Sequence, residues 1–192
     1  VQDSARLQGY ELEVSPKSIT IQSLTPTGLF YGLLTLAQLE KGRQIPCVKV
    51  KDTPRFPYRG LMIDCSRHFW TKKFIMKQLD AMAYFKLNRF HWHLTDGGGW
   101  RMEVKQYPRL TNETAYRTQS DWVKWWMEKD RKYCLVGTPG AYGGYYTQQD
   151  IKDIVRYAAA RHITVIPEIE MPGHSDEVVY AYPELSCTGK PY

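Results

Sequence analysis

Three apolar segments of this 192-residue chain each end in polar side chains that could do chemistry. Arg67 ends the first segment, Asp96 ends the second, and His174 follows the third after a Pro-Gly turn. A guanidinium can bind neighbouring hydroxyls or a carboxylate through two parallel hydrogen bonds, and a carboxylate or an imidazole can hold or transfer a proton. These residue types predict a binding or catalytic site where the three segments end.

Two of these positions have structural alternatives. Arg67 could equally form a salt bridge with Asp64, three residues earlier in the chain. The glycine run 97–99 after Asp96 suggests a phosphate-binding loop, but the terminal Gly-Lys-Ser/Thr of that motif is missing. We interpret the glycines as a tight turn that lets Asp96 point into a cleft. His174, on a turn past a strand end, is a better functional candidate than a histidine within a core.

Two further pairs of polar residues lie two positions apart, so each pair shares one face of a strand. His91 and His93 could hold zinc, but a strand histidine is more often hydrogen-bonded in the core, and no third ligand has a suitable spacing. We therefore expect no metal, and a zinc hydrolase built on these histidines is the weaker alternative. Glu168 and Glu170 could act as general acid and base on a glycosidic bond, or could only tie strand ends together.

The elements that position these residues alternate between strands and helices. Strands are predicted at 59–66, 89–94 and 163–170, and helices begin after the capping residues Thr71 and Thr147. Their buried faces are predicted to be Ile75, Leu79, Met82 and Phe85 in the first helix, and Ile151, Ile154, Val155 and Ala158 in the second, where Asp150 completes a capping box. This order predicts a parallel sheet, which gathers its chemistry at the carboxyl ends of the strands.

The chain before the sheet is different in character. We predict a hairpin of strands 10–14 and 18–22, then a helix with Thr25 as cap, Pro26 at its first position, and Leu29, Leu33 and Leu36 as its buried face. The predicted organisation is the end of a small α+β domain (1–45), a linker with one short strand (46–57), and an α/β domain (58–192). Residues 95–146 of the latter form an aromatic-rich insert, whose rings could stack on sugars or form a core of their own.

Composition excludes several classes of protein. The net charge of +6 comes from scattered residues, so no nucleic-acid partner is expected, and no apolar run approaches the ~20 residues of a membrane span. Four cysteines have no metal-like spacing; we expect Cys65 to be a small buried apolar residue and leave a disulfide among the others open. The sequence begins without Met and without the basic and apolar regions of a signal peptide, so we expect a mature, processed or engineered segment.

Three motifs in order, 59–68, 90–96 with 99–101, and 166–174, resemble the family 20 glycoside hydrolases, the exo-acting β-N-acetylhexosaminidases. Residues 28–39 are similar to the last helix of the domain that precedes their barrel. The resemblance implies an α/β fold: an incomplete (β/α)8 TIM barrel, with the first three βα units, preceded by the end of a small α+β domain. It also implies a carbohydrate substrate, terminal β-linked N-acetylglucosamine or N-acetylgalactosamine, and no cofactor.

The resemblance also implies roles for individual residues. Arg67 matches the family's clamp for sugar hydroxyls, and Asp96 and His174 match an Asp–His pair that supports the acid glutamate. In this family the substrate's own acetamido oxygen attacks the anomeric carbon, and the configuration is retained. The orienting aspartate and the acid glutamate belong to a Gly-Gly-Asp-Glu-like motif, which does not occur between His174 and Tyr192. The chain also departs from the family at 97–98, where two glycines replace a polar pair.

These implications lead to three expectations. The 192 residues by themselves are expected to lack hydrolase activity, because the acid is expected beyond Tyr192. The alternative is a non-catalytic sugar-binding fragment, or one that self-associates as a homo-oligomer through an open barrel edge. The family further implies a secreted, periplasmic or lysosomal-type compartment.

Overall fold

The computed structural model describes residues 5–128 and 131–190, which form two units joined through residues 53–59. The elements in chain order are β1 (Tyr10–Val14), β2 (Ile19–Ser23), α1 (Pro26–Leu39), β3 (Val48–Asp52), β4 (Gly60–Asp64), α2 (Lys72–Tyr84), β5 (Arg89–His93), α3 (Arg109–Thr114), β6 (Tyr116–Arg117), α4 (Trp122–Met127), β7 (Tyr133–Cys134), β8 (Tyr142–Gly143), α5 (Gln148–Ala159), β9 (Thr164–Glu168) and α6 (Asp176–Ala181). A short 3-10 helix, Pro183–Leu185, follows α6.

The first unit is an antiparallel sheet of order β2-β1-β3 with α1 packed on one face. The short strand predicted within the linker at 46–57 is β3, and it belongs to this sheet. Strand β3 pairs along its whole length with β1, from Tyr10 opposite Asp52 to Val14 opposite Val48. Val48 and Val50 place their side chains in the same small core as Leu12, and this burial makes β3 part of the sheet.

Helix α1 begins as predicted, because the Thr25 side chain accepts a hydrogen bond from the backbone of Gly28. Its buried face is not the predicted one. Leu29 and Leu33 are exposed and only Leu36 of the predicted face packs against the core, whereas Gly28, Tyr31 and Gly32 are buried. The helix lies so close to the sheet that a side chain on Gly28 would overlap the carbonyl oxygen of Gly9. Close backbone approach therefore decides which face of α1 turns inward.

The second unit contains a parallel sheet of order β4-β5-β9, as predicted from the alternation of strands and helices. Its strands end one or two residues earlier than predicted, at Asp64, His93 and Glu168. Helices α2 and α5 cover one face of this sheet. The core between them is formed by Cys65, Ile75, Leu79, Met82, Ala83, Phe90, Trp92, Leu94, Tyr146, Ile154, Ala158 and Ile163.

The capping residues of both covering helices are confirmed. Thr71 caps α2, and Thr147 and Asp150 form a complete capping box at the start of α5. Two residues predicted to face inward do not. Phe85 is the C-terminal cap of α2 and is exposed, and Val155 lies on the open side of α5. Both positions fall at the margin of their apolar stripes, where periodicity alone does not decide burial.

The excursion between β5 and α5 folds on itself around a small antiparallel sheet of order β7-β6-β8. Three of its aromatic residues, Trp100, Trp125 and Tyr146, are buried, and Trp126 is exposed. All four cysteines are free thiols, and Cys65 is buried as expected. Within the described residues, none of the helices combines the length and the apolar character needed to span a bilayer.

Candidate active site

The face of the parallel sheet opposite α2 and α5 is polar. Side chains alternate along a strand, so Phe90 and Trp92 pack into the core while His91 and His93 point to the other face. The register of the sheet places Asp64 of β4 and Glu168 of β9 on either side of His93. A polar face of this kind brings charged groups from all three strands together at their carboxyl ends.

Asp96 lies at the centre of the polar residues that follow the strands. Its Oδ2 atom is 2.5 Å from Nη2 of Arg67 and 2.9 Å from Nδ1 of His174. His93 Nε2 lies 3.4 Å from the same oxygen. The side chain of Asp96 is 6% exposed, whereas that of His174 is 64% exposed. The structure therefore brings together the three residues that the sequence singled out, with a buried carboxylate at the centre and an open imidazole at the edge.

Arg67 makes both of the contacts that its position suggested. Its Nη1 donates to Oδ2 of Asp64 at 2.9 Å, which is the structural salt bridge, while its Nη2 reaches Asp96. Asp64 also accepts hydrogen bonds from the backbone nitrogens of Ser66 and Arg67, at 2.9 and 3.0 Å. Asp64 thus fixes the start of the loop that carries Arg67. The guanidinium remains partly exposed, so some of its donors face the open side of the sheet.

Two effects on the pKa of Asp96 oppose each other. Burial raises this pKa, but contacts with the imidazoles of His93 and His174 and the charge of Arg67 outweigh burial, and the pKa lies below its ordinary value. The same carboxylate raises the pKa of His93, although burial works against it. Asp96 is therefore ionised near neutral pH, and its carboxylate accepts a hydrogen bond from Nδ1–H of His174.

The glycine run after Asp96 forms a tight turn, as predicted. The backbone nitrogen of Gly99 donates to the carbonyl oxygen of Asp96 at 2.8 Å, and that of Gly97 donates to Oδ1 of Asp96 at 2.7 Å. A side chain on Gly98 would come within 2.8 Å of the carbonyl oxygen of Ser66. The turn consequently packs directly against the loop after β4, and this contact fixes the direction of the Asp96 side chain.

Two buried arginines, neither of them predicted to be a site residue, hold the same loops. Arg101 donates to the carbonyl oxygens of Cys65 at 3.0 Å and Ser66 at 2.6 Å. Arg117 donates to those of Arg67 at 2.9 Å and Gly98 at 3.1 Å. Both side chains are fully buried, and burial together with the neighbouring Arg117 lowers the pKa of Arg101 to about 10. No local motif distinguishes a buried arginine from an exposed one, so these two could be found only in the folded chain.

The two histidines of the predicted pair contact different glutamates. His91 Nε2 lies 2.5 Å from Oε2 of Glu168, whereas His93 Nε2 lies 3.9 Å from Oε1 of Glu170. The two carboxyl groups interact with each other: the hydrogen bond with Glu168 raises the pKa of Glu170, while the pKa of Glu168 is lowered by that bond and by the histidines, against the effect of burial. The histidine pair therefore does not converge on one point.

A further acidic residue, Glu177, lies beside the site. Glu177, in α6, is completely buried, and neither side-chain oxygen has a hydrogen-bond partner among the described residues. Burial, assisted by the negative charges of Asp96 and Asp176, raises the pKa of Glu177 to about 8. Its carboxyl group is mostly protonated at neutral pH.

Comparisons with known proteins agree with this architecture. Residues 56–192 match the model of the glycosyl hydrolase family 20 catalytic domain, and residues 2–53 match that of the family's domain 2. A β-hexosaminidase of Porphyromonas gingivalis is 44% identical over 94% of this chain and 22% of its own length. A β-hexosaminidase of Akkermansia muciniphila is 42% identical over 95% of this chain and 35% of its own.

A solved structure gives the same result. The Vibrio harveyi family 20 exo-β-N-acetylglucosaminidase, in complex with N-acetylglucosamine, superposes with a TM-score of 0.79 at 37% identity, over 93% of this chain and 28% of that one. The chain thus spans only about a fifth to a third of the length of these relatives. On the two family models and these identities, the chain belongs to glycosyl hydrolase family 20 and is related to the β-hexosaminidases.

Proposed function

We propose that this chain supplies one half of the sugar-binding and catalytic pocket of a retaining exo-β-N-acetylhexosaminidase. The observation that carries the proposal is the convergence of Arg67 and His174 on one oxygen of Asp96. The substrate would be a terminal β-linked N-acetylglucosamine or N-acetylgalactosamine. The names of the relatives, which include a diacetylchitobiase of Vibrio harveyi, support this class of substrate.

His174 has the geometry of a residue that supports a carboxylic acid. Because Nδ1–H of His174 donates its hydrogen bond to Asp96, Nε2 of the neutral imidazole is left as a hydrogen-bond acceptor on the exposed side of the ring. An acid glutamate next to it could donate its proton to Nε2, which would hold that carboxyl group in place and tune its pKa towards the working pH. In this proposal Asp96 and His174 act through the acid and do not attack the sugar.

Arg67 would bind the hydroxyl groups of the terminal sugar. Its guanidinium is held by Asp64 and Asp96 and is still partly exposed, so its orientation is fixed before the sugar arrives. A preorganised donor loses little side-chain entropy on binding. Because two carboxylates already balance the charge of Arg67, the site favours a neutral ligand such as a sugar over an anion. The acetamido oxygen of the substrate would act as the nucleophile, with retention of configuration.

We further propose that the three strands β4, β5 and β9 are the first part of a (β/α)8 barrel, and that the 192 residues alone are inactive. The orienting aspartate and the acid glutamate implied by the family resemblance have no counterpart in the sequence after His174. A non-catalytic sugar-binding role is the alternative. A secreted, periplasmic or lysosomal-type location is proposed from the family only.

The test uses a chromogenic N-acetyl-β-glucosaminide. The 192-residue chain should give no release above buffer. The chain inserted in place of the matching part of the Porphyromonas gingivalis relative should restore hydrolysis, and Asp96→Asn in that protein should lower kcat by at least about 100-fold. Asp80→Asn, on the outer helix α2, is the matched control and should leave kcat unchanged.

Two outcomes would contradict the proposal. Turnover by the 192 residues alone would show that the acid is not missing. Equal activity of the Asp96→Asn and Asp80→Asn proteins would remove Asp96 from the mechanism. NMR of the first sugar released from the active protein checks the stereochemistry, since retention gives the β-anomer first.

A further inference from the structure

We propose that His93, Glu168 and Glu170 form a binding site for a divalent metal ion that links β5 to the end of β9. One ligand atom from each of the three side chains lies within 4.8 Å of the other two. The three residues come from two neighbouring strands and the residues just after them, so an ion would join backbone segments that are far apart in sequence. The site is additional to the proposed hydrolysis, and no step of that reaction passes through it.

The strongest support is the state of His93 Nε2. The side chain is 5% exposed, and this nitrogen makes no hydrogen bond among the described residues. It points between two carboxylates, with Asp96 Oδ2 at 3.4 Å and Glu170 Oε1 at 3.9 Å. This nitrogen thus has charged neighbours but no well-formed hydrogen bond, and a metal ion is a partner that an imidazole nitrogen and carboxylate oxygens accept together.

Charge on this face of the sheet favours a cation. The carboxyl groups of Asp64, Asp96, Glu168 and Glu170 lie around His93. Arg67 contacts the first two, whereas Glu168 contacts His91 and Glu170. A neutral sugar would not offset the remaining negative charge. A partly enclosed group of like charges concentrates counter-ions, and a divalent ion compensates two of them at once.

The distances also fit a small ion. Metal–ligand bonds of roughly 2.0–2.2 Å place neighbouring ligand atoms about 3–3.6 Å apart. The distances between the three ligand atoms, now within 4.8 Å, would therefore shorten by roughly 1–2 Å on binding. Glu168 and Glu170 are each 29% exposed at the side chain, and can change rotamer to do so. The competing occupant of this space is a proton shared between the two glutamates, whose carboxyl groups already interact.

The test is a titration of the 192-residue chain with Mn²⁺, followed by the electron paramagnetic resonance of the free ion. Mn²⁺ is chosen over Zn²⁺ because the exposed thiols of Cys47 and Cys187 would bind zinc. We expect one saturable site per chain at pH 7, with binding at least about tenfold weaker in His93→Gln and in Glu170→Gln. Glu184→Gln, an exposed glutamate outside the cluster, is the control and should bind as the wild type does.

A second measurement locates the ion. Bound Mn²⁺ should broaden the NMR signals of the His93 ring and leave those of His162, which packs on Phe30, unchanged. If His93→Gln does not fold, Mn²⁺ binding by Glu170→Gln tests the site on its own. The proposal is overturned if the wild type shows no saturable binding, or if Glu170→Gln binds as tightly as Glu184→Gln. Neither readout requires hydrolase activity, so this result stands apart from that of the sugar assay.

Discussion

At the scale of single residues, the second unit contains ionisable groups that are buried without an opposite charge. Arg101 and Arg117 direct their hydrogen bonds to carbonyl oxygens, and Glu177 has no hydrogen-bond partner among the described residues. Burying such groups costs free energy unless they are hydrogen-bonded or neutral. The arginines satisfy the first condition, and Glu177 satisfies the second by keeping its proton.

Glu177 should make stability depend on pH. The ordinary pKa of 4.5 applies to the unfolded chain and about 8 to the folded one, so the folded chain binds more protons between these values. Its contribution to the free energy of unfolding therefore falls as pH rises from about 4.5 to 8, by at most about 5 kcal/mol. Urea unfolding of wild type and Glu177→Gln at pH 5, 6.5 and 8 should show a difference that grows with pH in favour of the variant.

The matched control for this measurement is Glu184→Gln, because Glu184 is exposed. Its difference from the wild type should stay constant across the three pH values. Parallel pH profiles for the wild type and Glu177→Gln would contradict the assignment of a buried, protonated carboxyl group.

Arg117→Lys should destabilise the second unit by about 2–4 kcal/mol, because lysine cannot reach the carbonyl oxygens of Arg67, Gly98 and Gln119 together. Arg156→Lys, at a side chain that is 75% exposed, should change the free energy of unfolding by less than about 0.5 kcal/mol. Urea denaturation of both variants checks the prediction. If Arg117→Lys and Arg156→Lys changed the free energy of unfolding equally, the hydrogen bonds of Arg117 would contribute nothing to stability beyond its charge.

At the scale of elements, helix α1 shows what hydrophobic periodicity can and cannot decide. Leu29, Leu33 and Leu36 have helical spacing, and so do Gly28 and Gly32 on a neighbouring face. The leucine pattern predicts the helix correctly, but only Leu36 packs against the core, and Leu29 and Leu33 are exposed. The inner side is set by how closely the backbone of α1 approaches β1 and β2, and that distance depends on residues far apart in the sequence.

Gly28→Ala should therefore destabilise the first unit, although alanine is the better helix former by about 1 kcal/mol. The added methyl group would overlap the carbonyl oxygen of Gly9, and backbone cannot move as a side chain can, so we expect a net loss of about 1–3 kcal/mol. Leu33→Ala, on the exposed side of the same helix, is the control and should be nearly neutral. If Leu33→Ala lowered the free energy of unfolding more than Gly28→Ala, the leucine face would be the buried one.

In the rest of the chain, too, features set by neighbouring residues could be predicted, and features set by distant residues could not. Caps at Thr25, Thr71 and Thr147 and the order of the parallel strands were predictable, because each depends on neighbouring residues. The convergence of Arg67, Asp96 and His174 was predictable once parallel strands were assumed. The pairing of β3 and the buried arginine contacts were not, because they join segments between 14 and 50 residues apart whose partners carry no local signal.

At the scale of the whole molecule, the parallel sheet has two free edges among the described strands, at β4 and β9. Met62 and Ile166 are exposed near the middle of these edge strands. Unpaired edges with apolar side chains favour pairing with another strand, either from further polypeptide or from a second copy. The sheet is therefore the part of the molecule most prone to association.

Self-association should be visible in the isolated chain. We expect the mass from size-exclusion chromatography with light scattering to rise with concentration, and Met62→Lys to reduce that rise, because a charge at the edge opposes pairing. Met127→Lys, at an exposed residue in α4, is the control and should behave as the wild type does. A clean monomer at all concentrations would contradict association through the sheet edge.

The arginine contacts also set limits on redesign of the excursion between β5 and α5. Its base supplies Arg117 and accepts hydrogen bonds from Arg101, so the strand-end loops and the excursion form one structural unit. Its tip, 135–140, is exposed throughout and lies outside those contacts. Loop grafting between relatives should therefore tolerate changes at the tip, whereas a donor loop without an arginine equivalent to Arg117 would remove the hydrogen bonds that hold the loops carrying Arg67 and Asp96.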